Sequence, residues 1–244
     1  MRSQIGTIIS TDAGLIAGKS VLITGGSRGI GLAIARVLAG QGARITLVAR
    51  DRQRLERAAA ELGADCQIAD VSDASAVRRL ASDTGPVPDV IVNSAGAFEL
   101  ATIAETSVES FDRQVAVNLR AVFLLAREFL PVMLERASGH IVTIGSIAGR
   151  HAFPANGAYS AAKFGVRGLH AVLQAELKGT GVRATLIEPA ATATELWAAV
   201  DRSRHGGLPA AESMLSPEAV AQAVLYALSQ PPEVAVPNLF LERS

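Results

Sequence analysis

The chain has 244 residues with 23 basic and 23 acidic side chains, so its formal net charge is zero. With no basic run and only 4% aromatic residues, it lacks the charge and the stacking surface that nucleic-acid binding needs. No charge-free apolar run approaches the roughly 18 residues of a membrane span, and a single cysteine, Cys66, excludes an intramolecular disulfide. We therefore expect a cytoplasmic protein that binds neither membranes nor nucleic acid, and no metal site is predicted.

The first 18 residues contain one basic residue and a short Ile-rich patch, unlike a secretory signal with its apolar core and cleavage site. We expect them to form a loosely ordered arm before a single domain over residues 19–244. Strand and helix signals then alternate. In the first half of the domain we expect strands at Ser20–Thr24, Arg44–Ala49, Asp65–Ala69 and Asp89–Asn93, and helices at Gly29–Gly40, Arg52–Leu62 and Ala74–Ser82.

The second half contains two long helical patterns and three further strands. Pro237 lies within the last strand, which argues against a regular hydrogen-bond ladder through its interior. Strands that alternate with helices favour an α/β fold with a doubly wound parallel sheet of about seven strands and helices on both faces. The predicted helices are Phe111–Leu134, Tyr159–Gly179 and Pro217–Ser229, and the predicted strands are His140–Gly145, Val182–Ile187 and Glu233–Leu241.

The two long helices are apolar on more than one face. The first carries Phe, Val and Leu around a wide arc, and the second is rich in Ala, Gly, Val and Leu nearly all round. Either the sheet buries both sides of these helices or a second subunit covers their outer side. We favour a second subunit, because a helix on an open sheet keeps an outer face, and expect a homodimer or homotetramer through these helices.

Several polar residues stand out in this apolar pattern. Tyr159 and Lys163 lie four residues apart in a predicted helix, so the phenol and the ammonium can share one face. A nearby cation favours phenolate and would lower the pKa of the tyrosine, although spacing alone favours an ordinary surface pair. Ser146 follows a predicted strand, at the edge where open α/β sheets bind ligands. Asn118 interrupts a long apolar helix, where an amide either has a function in the site or is merely hydrogen-bonded in a kinked helix.

This set resembles the catalytic tetrad of the short-chain dehydrogenase/reductase family, which here consists of Asn118, Ser146, Tyr159 and Lys163. Residues 24–31, TGGSRGIG, have the TGxxxGIG spacing of the same family. The likeness runs from about Lys19 to the carboxyl end. It implies a Rossmann-type dinucleotide-binding catalytic domain, a nicotinamide cofactor and a homo-oligomer.

The glycine-rich turn between the first strand and the first helix would let backbone N–H groups approach a pyrophosphate at the positive end of the helix. In folds that select NAD, an acidic residue about 20 positions further on binds the ribose 2′-OH. Nineteen positions beyond Gly31 the chain has Arg50, which can grip a 2′-phosphate, and Arg28 can supply a second guanidinium. We therefore predict NADP(H). Asp51 either points away from Arg50 or partly neutralises it.

The resemblance adds further segments to the predicted cofactor site. Asp70 matches an adenine contact of the family, although an acid there could equally start the helix at Ala74. The NNAG and PGxxxT segments of the family correspond to residues 93–96 and 189–194, with Ser94 and Ala190 where Asn and Gly are usual. The predicted cofactor-binding residues are Gly25, Ser27, Arg28, Gly29, Ile30, Gly31, Arg50, Asp70, Val71, Asn93, Ala95, Gly96, Tyr159, Lys163, Pro189, Thr192 and Thr194.

The resemblance also implies a role for each member of the tetrad. Hydride passes between the nicotinamide and a carbonyl or carbinol carbon while Tyr159 gives or takes the proton. Ser146 hydrogen-bonds the substrate oxygen, and Lys163 lowers the pKa of the tyrosine and holds the nicotinamide ribose. Asn118 fixes a water that links the lysine to solvent, and Thr194 bonds the carboxamide.

The substrate pocket is predicted from position in the chain. The stretch from Glu195 to Ser216 is either a lid ordered by substrate or an ordinary surface helix and loop. Arg150 and His151 either attract a carboxylate or form a solvated pair. The residues expected to line the pocket are Phe98, His151, Phe153, Asn156, Leu196, Trp197 and Met214.

The carboxyl-terminal part, from Leu215 to Pro232, resembles the NADP-dependent 3-hydroxy acid and serine dehydrogenase-like branch. The predicted function is therefore an NADP(H)-dependent oxidoreductase acting on a small ketone, aldehyde, secondary alcohol or hydroxy acid. One alternative is a 3-oxoacyl-carrier-protein reductase, which would need a basic patch near the site. The other is an NADP-sensing protein without chemistry, which would not need serine, tyrosine and lysine together.

Overall fold

Seven parallel strands form one sheet in the order β3-β2-β1-β4-β5-β6-β7. The computed structural model describes residues 16–201 and 207–244. Aliphatic and β-branched residues dominate the central strands, which are buried on both faces. The strands are β1 (Ser20–Thr24), β2 (Arg44–Ala49), β3 (Asp65–Ile68), β4 (Val90–Asn93), β5 (Gly139–Ile144), β6 (Val182–Pro189) and β7 (Asn238–Leu241).

Helices cover both faces of the sheet, as the doubly wound prediction requires. They are α1 (Gly29–Gly40), α2 (Arg52–Leu62), α3 (Ala74–Asp83), α4 (Val108–Val115), α5 (Ala121–Glu135), α6 (Gly157–Glu176) and α7 (Pro217–Leu228). One core holds α1, α2 and α7 against the sheet through residues such as Ile34 and Val224. The opposite core holds α3, α5 and α6 through residues such as Leu80 and Phe129. Within the described ranges, no helix is both long and apolar enough to cross a bilayer.

Local signals explain where α2 begins and ends. Asp51 accepts a hydrogen bond from Arg54 N and so caps the first turn. Gly63, with a φ of 60°, ends the helix in the left-handed conformation that glycine adopts without a steric penalty. The predicted bounds of this helix are confirmed. They could be predicted because the sequence itself contains the capping residue and the glycine that ends the helix.

The first long helix differs from its prediction at both ends and in the middle. It begins at Val108, where Ser107 accepts a hydrogen bond from Ser110 N, and not at Phe111. A π turn at Ala116–Arg120 joins α4 to α5. Such a wider turn inside an α-helix is frequent at functional sites, and here it surrounds the asparagine that the sequence marks as unusual.

The last strand is shorter than predicted. It begins at Asn238 and not at Glu233, because Pro237 has no N–H to continue the ladder. The carbonyl of Pro237 still accepts a hydrogen bond from Leu186 N at 2.9 Å. The proline therefore marks the start of pairing with β6.

The predicted amino-terminal arm is only partly within the described residues, since residues 1–15 lie outside them. Ile16 is 2% exposed and packs into the core formed with α1, α2 and α7. Gly18 N donates a hydrogen bond to Gly42 O at 2.8 Å. The expectation of a loose arm is therefore wrong for residues 16–18, which an apolar side chain anchors to the domain.

Candidate active site

A cleft with a volume of about 1020 Å³ opens at the carboxyl ends of the central strands. β1 pairs with β2 on one side and with β4 on the other, so the order of strands reverses at this point. Loops that leave neighbouring strands at such a reversal diverge to opposite faces of the sheet and create a crevice. The loops after β1, β4, β5 and β6 all contribute to its walls.

The glycine-rich turn after β1 forms one wall of the cleft. Gly25 has a φ of 68°, and a Cβ there would lie 2.8 Å from Ser94 O in the facing loop. A Cβ at Gly31 would collide with the carbonyl oxygen of Gly25. Arg28 occupies the N-cap position of α1 without a side-chain capping bond, and the first turn contains no acid. This helix end therefore presents backbone N–H groups that fit an anion such as a pyrophosphate.

Three arginines line the β2 side of the cleft. Arg50 directly follows β2, and Arg54 lies in the first turn of α2. Arg28 Nη1 and Arg54 Nη1 both face one carboxylate oxygen, Glu195 Oε2, at 3.5 and 2.6 Å. All three side chains are substantially exposed, so each guanidinium remains available to a ligand.

Two acids near these arginines resolve alternatives that the sequence left open. Asp51 caps α2 and pairs with Arg54 Nε at 3.3 Å, so it points along the chain and away from Arg50. Asp70 accepts hydrogen bonds from the backbone and hydroxyl of Ser72 and pairs with Arg50 Nη1 at 3.3 Å. The N-cap of α3 is Asp73 and not Asp70, which instead lines the cleft.

Ser146, Tyr159 and Lys163 meet on the opposite side of the cleft. Ser146 caps a short 3₁₀ turn by accepting a hydrogen bond from Ala148 N at 3.1 Å. Lys163 is buried on α6, and its Nζ donates to Ile144 O at 2.9 Å. The same Nζ lies 5.5 Å from the centroid of the Tyr159 ring. The helical spacing therefore brings phenol and ammonium together as predicted.

Burial is the largest influence on the pKa values of Tyr159 and Lys163. It raises the pKa of Tyr159 to about 12, and the Ser146 hydroxyl offsets only part of that rise. Burial also lowers the pKa of Lys163 to about 8. The expectation that the lysine lowers the pKa of the tyrosine below its usual value is therefore wrong for this site, because burial disfavours both charged forms.

Asn118 lies in the π turn and connects it to the loop after β4. Its Nδ2 donates to Ala97 O at 2.8 Å and to Gln114 O at 2.9 Å, and its Oδ1 accepts from Ala97 N at 3.2 Å. Both amide hydrogens are thus used within the protein. These bonds show a hydrogen-bonded asparagine in a distorted part of the helix, and its role in holding a water stays a prediction.

Aromatic side chains form the wall beside Tyr159. The Phe98 ring stands edge to face against Tyr159 and against Trp197, with 4.9 Å between centroids in both pairs. The indole Nε1 of Trp197 donates to Thr192 O at 3.1 Å, which fixes the ring. Of the residues predicted for the substrate pocket, those that line the cleft are Phe98, Phe153, Asn156, Leu196 and Trp197.

The other pocket predictions are wrong. Met214 is 5% exposed but does not line the cleft, and His151 lies outside it. Arg150 is not part of a solvated pair, since its guanidinium pairs with the buried carboxylate of Glu188. An arginine committed in this way is not available to attract a substrate carboxylate.

The segment predicted as a lid or a surface loop is described in part. It begins with the 3₁₀ turn Glu195–Ala199, and Gly207, Leu208 and Pro209 also line the cleft. Residues 202–206 lie outside the described ranges. Residues 195–197 and 207–209 therefore form part of the cleft wall, whereas residues 210–216 do not line it.

Nearly all the predicted cofactor-binding residues line this cleft. The exception is Asn93, which is buried at the end of β4 and donates to Thr143 Oγ1 at 3.2 Å. Its side chain connects two strands behind the cleft and does not line the site. Sequence reasoning missed Arg54 and Glu195, which only the folded chain brings together. It also passed over Thr24, although this threonine opens the glycine motif.

Comparison with known proteins identifies the family. The family model described as "short chain dehydrogenase" matches residues 19–205, which are most of the chain. The chain therefore belongs to the short-chain dehydrogenase family of oxidoreductases.

Three similar proteins illustrate the breadth of the family. Glycine betaine reductase ATRR of Emericella nidulans is 36% identical over 94% of this chain, which spans only 19% of that protein. An alcohol dehydrogenase from the archaeon Thermococcus sibiricus, complexed with 5-hydroxy-NADP, is 32% identical with a TM-score of 0.82 and coverage of 91% and 95% of the two chains. The closed form of a serine dehydrogenase complexed with NADP+ is 30% identical with a TM-score of 0.83 and coverage of 91% and 94%.

Proposed function

We propose that this protein is an NADP(H)-dependent oxidoreductase that interconverts a small carbonyl compound and the corresponding alcohol. The observation that carries the proposal is that Ser146, Tyr159 and Lys163 share one cleft with an uncapped helix end and three arginines. The two solved structures described above were determined with NADP or an NADP derivative, which supports the same cofactor here. The residues proposed to hold it are the predicted set without Asn93, together with Arg54.

Each polar side chain in the cleft has a proposed task. When bound, NADPH supplies the hydride. Tyr159 donates its proton to the carbonyl oxygen, and a raised pKa keeps the phenol protonated until then. The Ser146 hydroxyl donates a hydrogen bond to the same oxygen and stabilises its developing charge. Lys163 holds ribose hydroxyls and returns a proton to the tyrosine, for which a pKa of about 8 is well placed.

Asn118 is proposed as a positioning residue. Two of its three hydrogen bonds hold the π turn against the loop at Ala97, and the third goes to Gln114 O in α4. That loop contains Ala95 and Gly96, which line the cofactor part of the cleft. An asparagine here would therefore maintain the shape of the site, and a bound water would use its remaining Oδ1 lone pair or the backbone.

The arginines support selection of NADP(H) over NAD(H). Arg28 and Arg50 can each donate charge-assisted hydrogen bonds to a 2′-phosphate, worth about 1.5–3 kcal/mol each before solvent screening. Roughly a hundredfold preference is a conservative expectation, because these side chains are exposed. The lone cysteine, Cys66, supports a reducing compartment such as the cytoplasm.

The proposed substrates are small ketones, aldehydes and hydroxy acids, with the 3-oxoacyl-carrier-protein reductase activity as the alternative. The apolar wall formed by Phe98 and Trp197 supports a compact substrate with an apolar substituent. Similarity to an alcohol dehydrogenase and to a serine dehydrogenase supports the first group.

A substrate panel tests the proposal directly. Consumption of NADPH is followed by absorbance with ketones, aldehydes and an acetoacetyl-carrier-protein thioester. With hydroxy acids the reaction runs in the oxidative direction, and formation of NADPH from NADP+ is followed instead. We expect turnover of a small substrate, a kcat/KM about a hundredfold higher with NADPH than with NADH, and a loss of about 10²–10⁴-fold in Tyr159→Phe. Tyr159→Phe should still bind NADPH, seen as quenching of Trp197, the only tryptophan. Equal use of both cofactors, or an active Tyr159→Phe, would refute the proposal.

We also propose a homodimer or homotetramer formed through the long helices. Large apolar side chains are exposed on α5 and α6, including Phe123, Val132, Phe164 and Val172. Light scattering should give a mass of two or four chains, and Phe123→Glu with Val172→Glu should shift it toward one. Ile68→Glu, an exposed apolar position on β3, is the control that should leave the mass unchanged.

A further inference from the structure

One carboxylate, that of Glu195, pairs with two of the three arginines on the β2 side of the cleft. Glu195 begins the 3₁₀ turn that follows Thr194, far along the chain from both partners. Its Oε2 lies 2.6 Å from Arg54 Nη1 on α2 and 3.5 Å from Arg28 Nη1 in the glycine loop. Three separate segments of the chain therefore meet at a single negative charge.

We propose that Glu195 is a specificity-determining residue that competes with the 2′-phosphate of NADP(H) for Arg28 and Arg54. The proposal rests on the proposed function, since it concerns the same cofactor. It also assigns Arg54 as a third phosphate-binding arginine beside Arg28 and Arg50.

The chemistry of the groups supports competition. Carboxylates and phosphates are the two anions that the guanidinium fork recognises, through the same N–H groups. A phosphate that reaches Arg28 and Arg54 would meet the Glu195 carboxylate at close range, and two like charges there repel each other. Glu195 and both arginines are about half exposed, so the carboxylate can move into solvent with little loss.

Arg50 differs from the other two arginines. Its partner is Asp70, on its own side of the cleft, and its side chain is the most exposed of the three. Arg50 can thus receive a phosphate while Glu195 still holds the others. The carboxylate then reduces selectivity for the 2′-phosphate without abolishing it, and its removal should increase that selectivity.

Isothermal titration of the full chain tests this inference with two probes, adenosine 2′,5′-bisphosphate and adenosine 5′-monophosphate. In Glu195→Gln we expect the bisphosphate to bind about two- to fivefold more tightly, as the loss of an exposed ion pair suggests. The monophosphate should change by less than a factor of two. Arg54→Gln should weaken the bisphosphate alone.

Glu61→Gln is the matched control. Glu61 is also an exposed carboxylate paired with an arginine, Arg36, but neither residue lines the cleft. The control removes the same charge, so it separates local competition from a change in the overall field of the protein. It should leave both affinities as in the wild type, and circular dichroism verifies that each variant is folded.

The outcomes separate the inference from the proposed function. If the wild type prefers the bisphosphate and Glu195→Gln binds it equally or more weakly, the inference fails and the cofactor assignment stands. Tighter binding of both probes also overturns it, because the effect is then general. If the wild type shows no preference, the NADP(H) assignment fails. If only Glu195→Gln prefers the bisphosphate, competition by Glu195 is still supported. If neither protein prefers the bisphosphate, both the inference and the NADP(H) assignment are overturned.

Discussion

The hydroxyl of Thr24 joins the two loops that border the cofactor side of the cleft. This residue ends β1 and is 1% exposed. Its Oγ1 accepts hydrogen bonds from Ser94 N at 3.1 Å and Ala95 N at 3.2 Å, and donates to Val92 O at 3.3 Å. One side chain thus satisfies the backbone where β4 ends and fixes the distance between the glycine turn and the facing loop.

Replacing Thr24 by Val keeps the shape and removes the oxygen. Two backbone N–H groups then lose their acceptor, and each such loss costs about 1–3 kcal/mol when the group cannot reach water. We expect Thr24→Val to lower the free energy of unfolding in urea by about 2 kcal/mol and to weaken NADPH binding. Thr24→Ser keeps the hydroxyl and should cost less than about 1 kcal/mol. A larger loss in Thr24→Ser than in Thr24→Val would contradict this account, because it would show that the methyl group matters more than the hydroxyl.

Individual site residues were predictable to the extent that local spacing determines them. Tyr159 and Lys163 meet because residues four apart share a helix face, and this required no knowledge of the fold. Their pKa values depend on burial, which spacing does not reveal, so the sequence predicted the contact and missed the direction for the tyrosine. Asn93 was assigned to the cofactor site from the family resemblance, but its side chain turns to Thr143. Arg150 was expected either to attract a carboxylate or to form a solvated pair with His151, but its side chain pairs with Glu188.

At the scale of elements, a buried carboxylate ties the loop of Ser146 to the sheet. Glu188 near the end of β6 is 1% exposed. Arg150, four residues after Ser146, donates Nε to Glu188 Oε2 at 2.7 Å, and its guanidinium lies 5.4 Å from the ring centroid of Phe240 on β7. Arg167 on α6 stands further away, at 3.8 Å from the other oxygen. The segment after β5 is thereby held against β6 and β7.

Removing the closer arginine should be the costlier change. Arg150→Met leaves a buried carboxylate without its hydrogen-bonded partner, and breaking such a pair costs about 3 kcal/mol at the low end of the usual range. We expect that loss in the free energy of unfolding, together with a lower kcat because Ser146 is less well positioned. Arg167→Met, at a longer and more exposed contact, should cost less than about 1 kcal/mol. The two variants are compared by urea denaturation and turnover, and similar losses would contradict this account.

The elements that were predicted correctly contain the residues that determine where they begin and end. α2 carries its own cap and its own terminating glycine, and the alternation of apolar strands and helices indicates a parallel sheet. The π turn at Ala116–Arg120 was indicated only by the out-of-place Asn118, because its extra residue per turn leaves no periodic signature. The carboxyl-terminal strand was predicted too long, since an apolar run across Pro237 looks continuous in sequence.

The whole molecule determines contacts that no local pattern contains. Arg28 and Glu195 are separated by 167 residues, and Arg54 and Glu195 by 141. Their meeting follows from the reversal of strand order between β1 and β4, which brings the loops after β1 and β6 and the start of α2 to one cleft. The family resemblance predicted a cleft that binds a nicotinamide cofactor. The contact of Glu195 with both arginines could be found only in the three-dimensional structure.

We expect two buried histidines to make the stability of the whole domain dependent on pH. His140 on β5 and His170 on α6 are almost fully buried, and His140 Nε2 lies 2.8 Å from Thr185 Oγ1. Within the described residues, both ring nitrogens of His170 are buried without a hydrogen-bond partner. Burial lowers the pKa of His140 to about 3, with further contributions from Arg183 and His170, and burial lowers the pKa of His170 to about 4.

The sign of the effect follows from these values. Above the unfolded pKa of about 6.5 both histidines are neutral in either state, so the folded state keeps its full stability. As the pH falls below 6.5 only the unfolded chain binds the protons, and stability decreases until the folded pKa is reached. Each pH unit below 6.5 lowers the free energy of unfolding by about 1.36 kcal/mol per histidine. At pH 5 each imidazole therefore lowers it by about 2 kcal/mol relative to pH 7.

His170→Leu should therefore flatten the pH dependence of unfolding. Between pH 7 and pH 5 we expect the loss of unfolding free energy to be about 2 kcal/mol smaller in this variant than in the wild type, because one proton-binding site of the unfolded chain has gone. His151→Gln, at an exposed histidine, should follow the wild-type curve and serves as the control. Urea denaturation at half-unit steps of pH measures the difference. Parallel curves for His170→Leu and the wild type would show that this imidazole is accessible to protons in the folded protein.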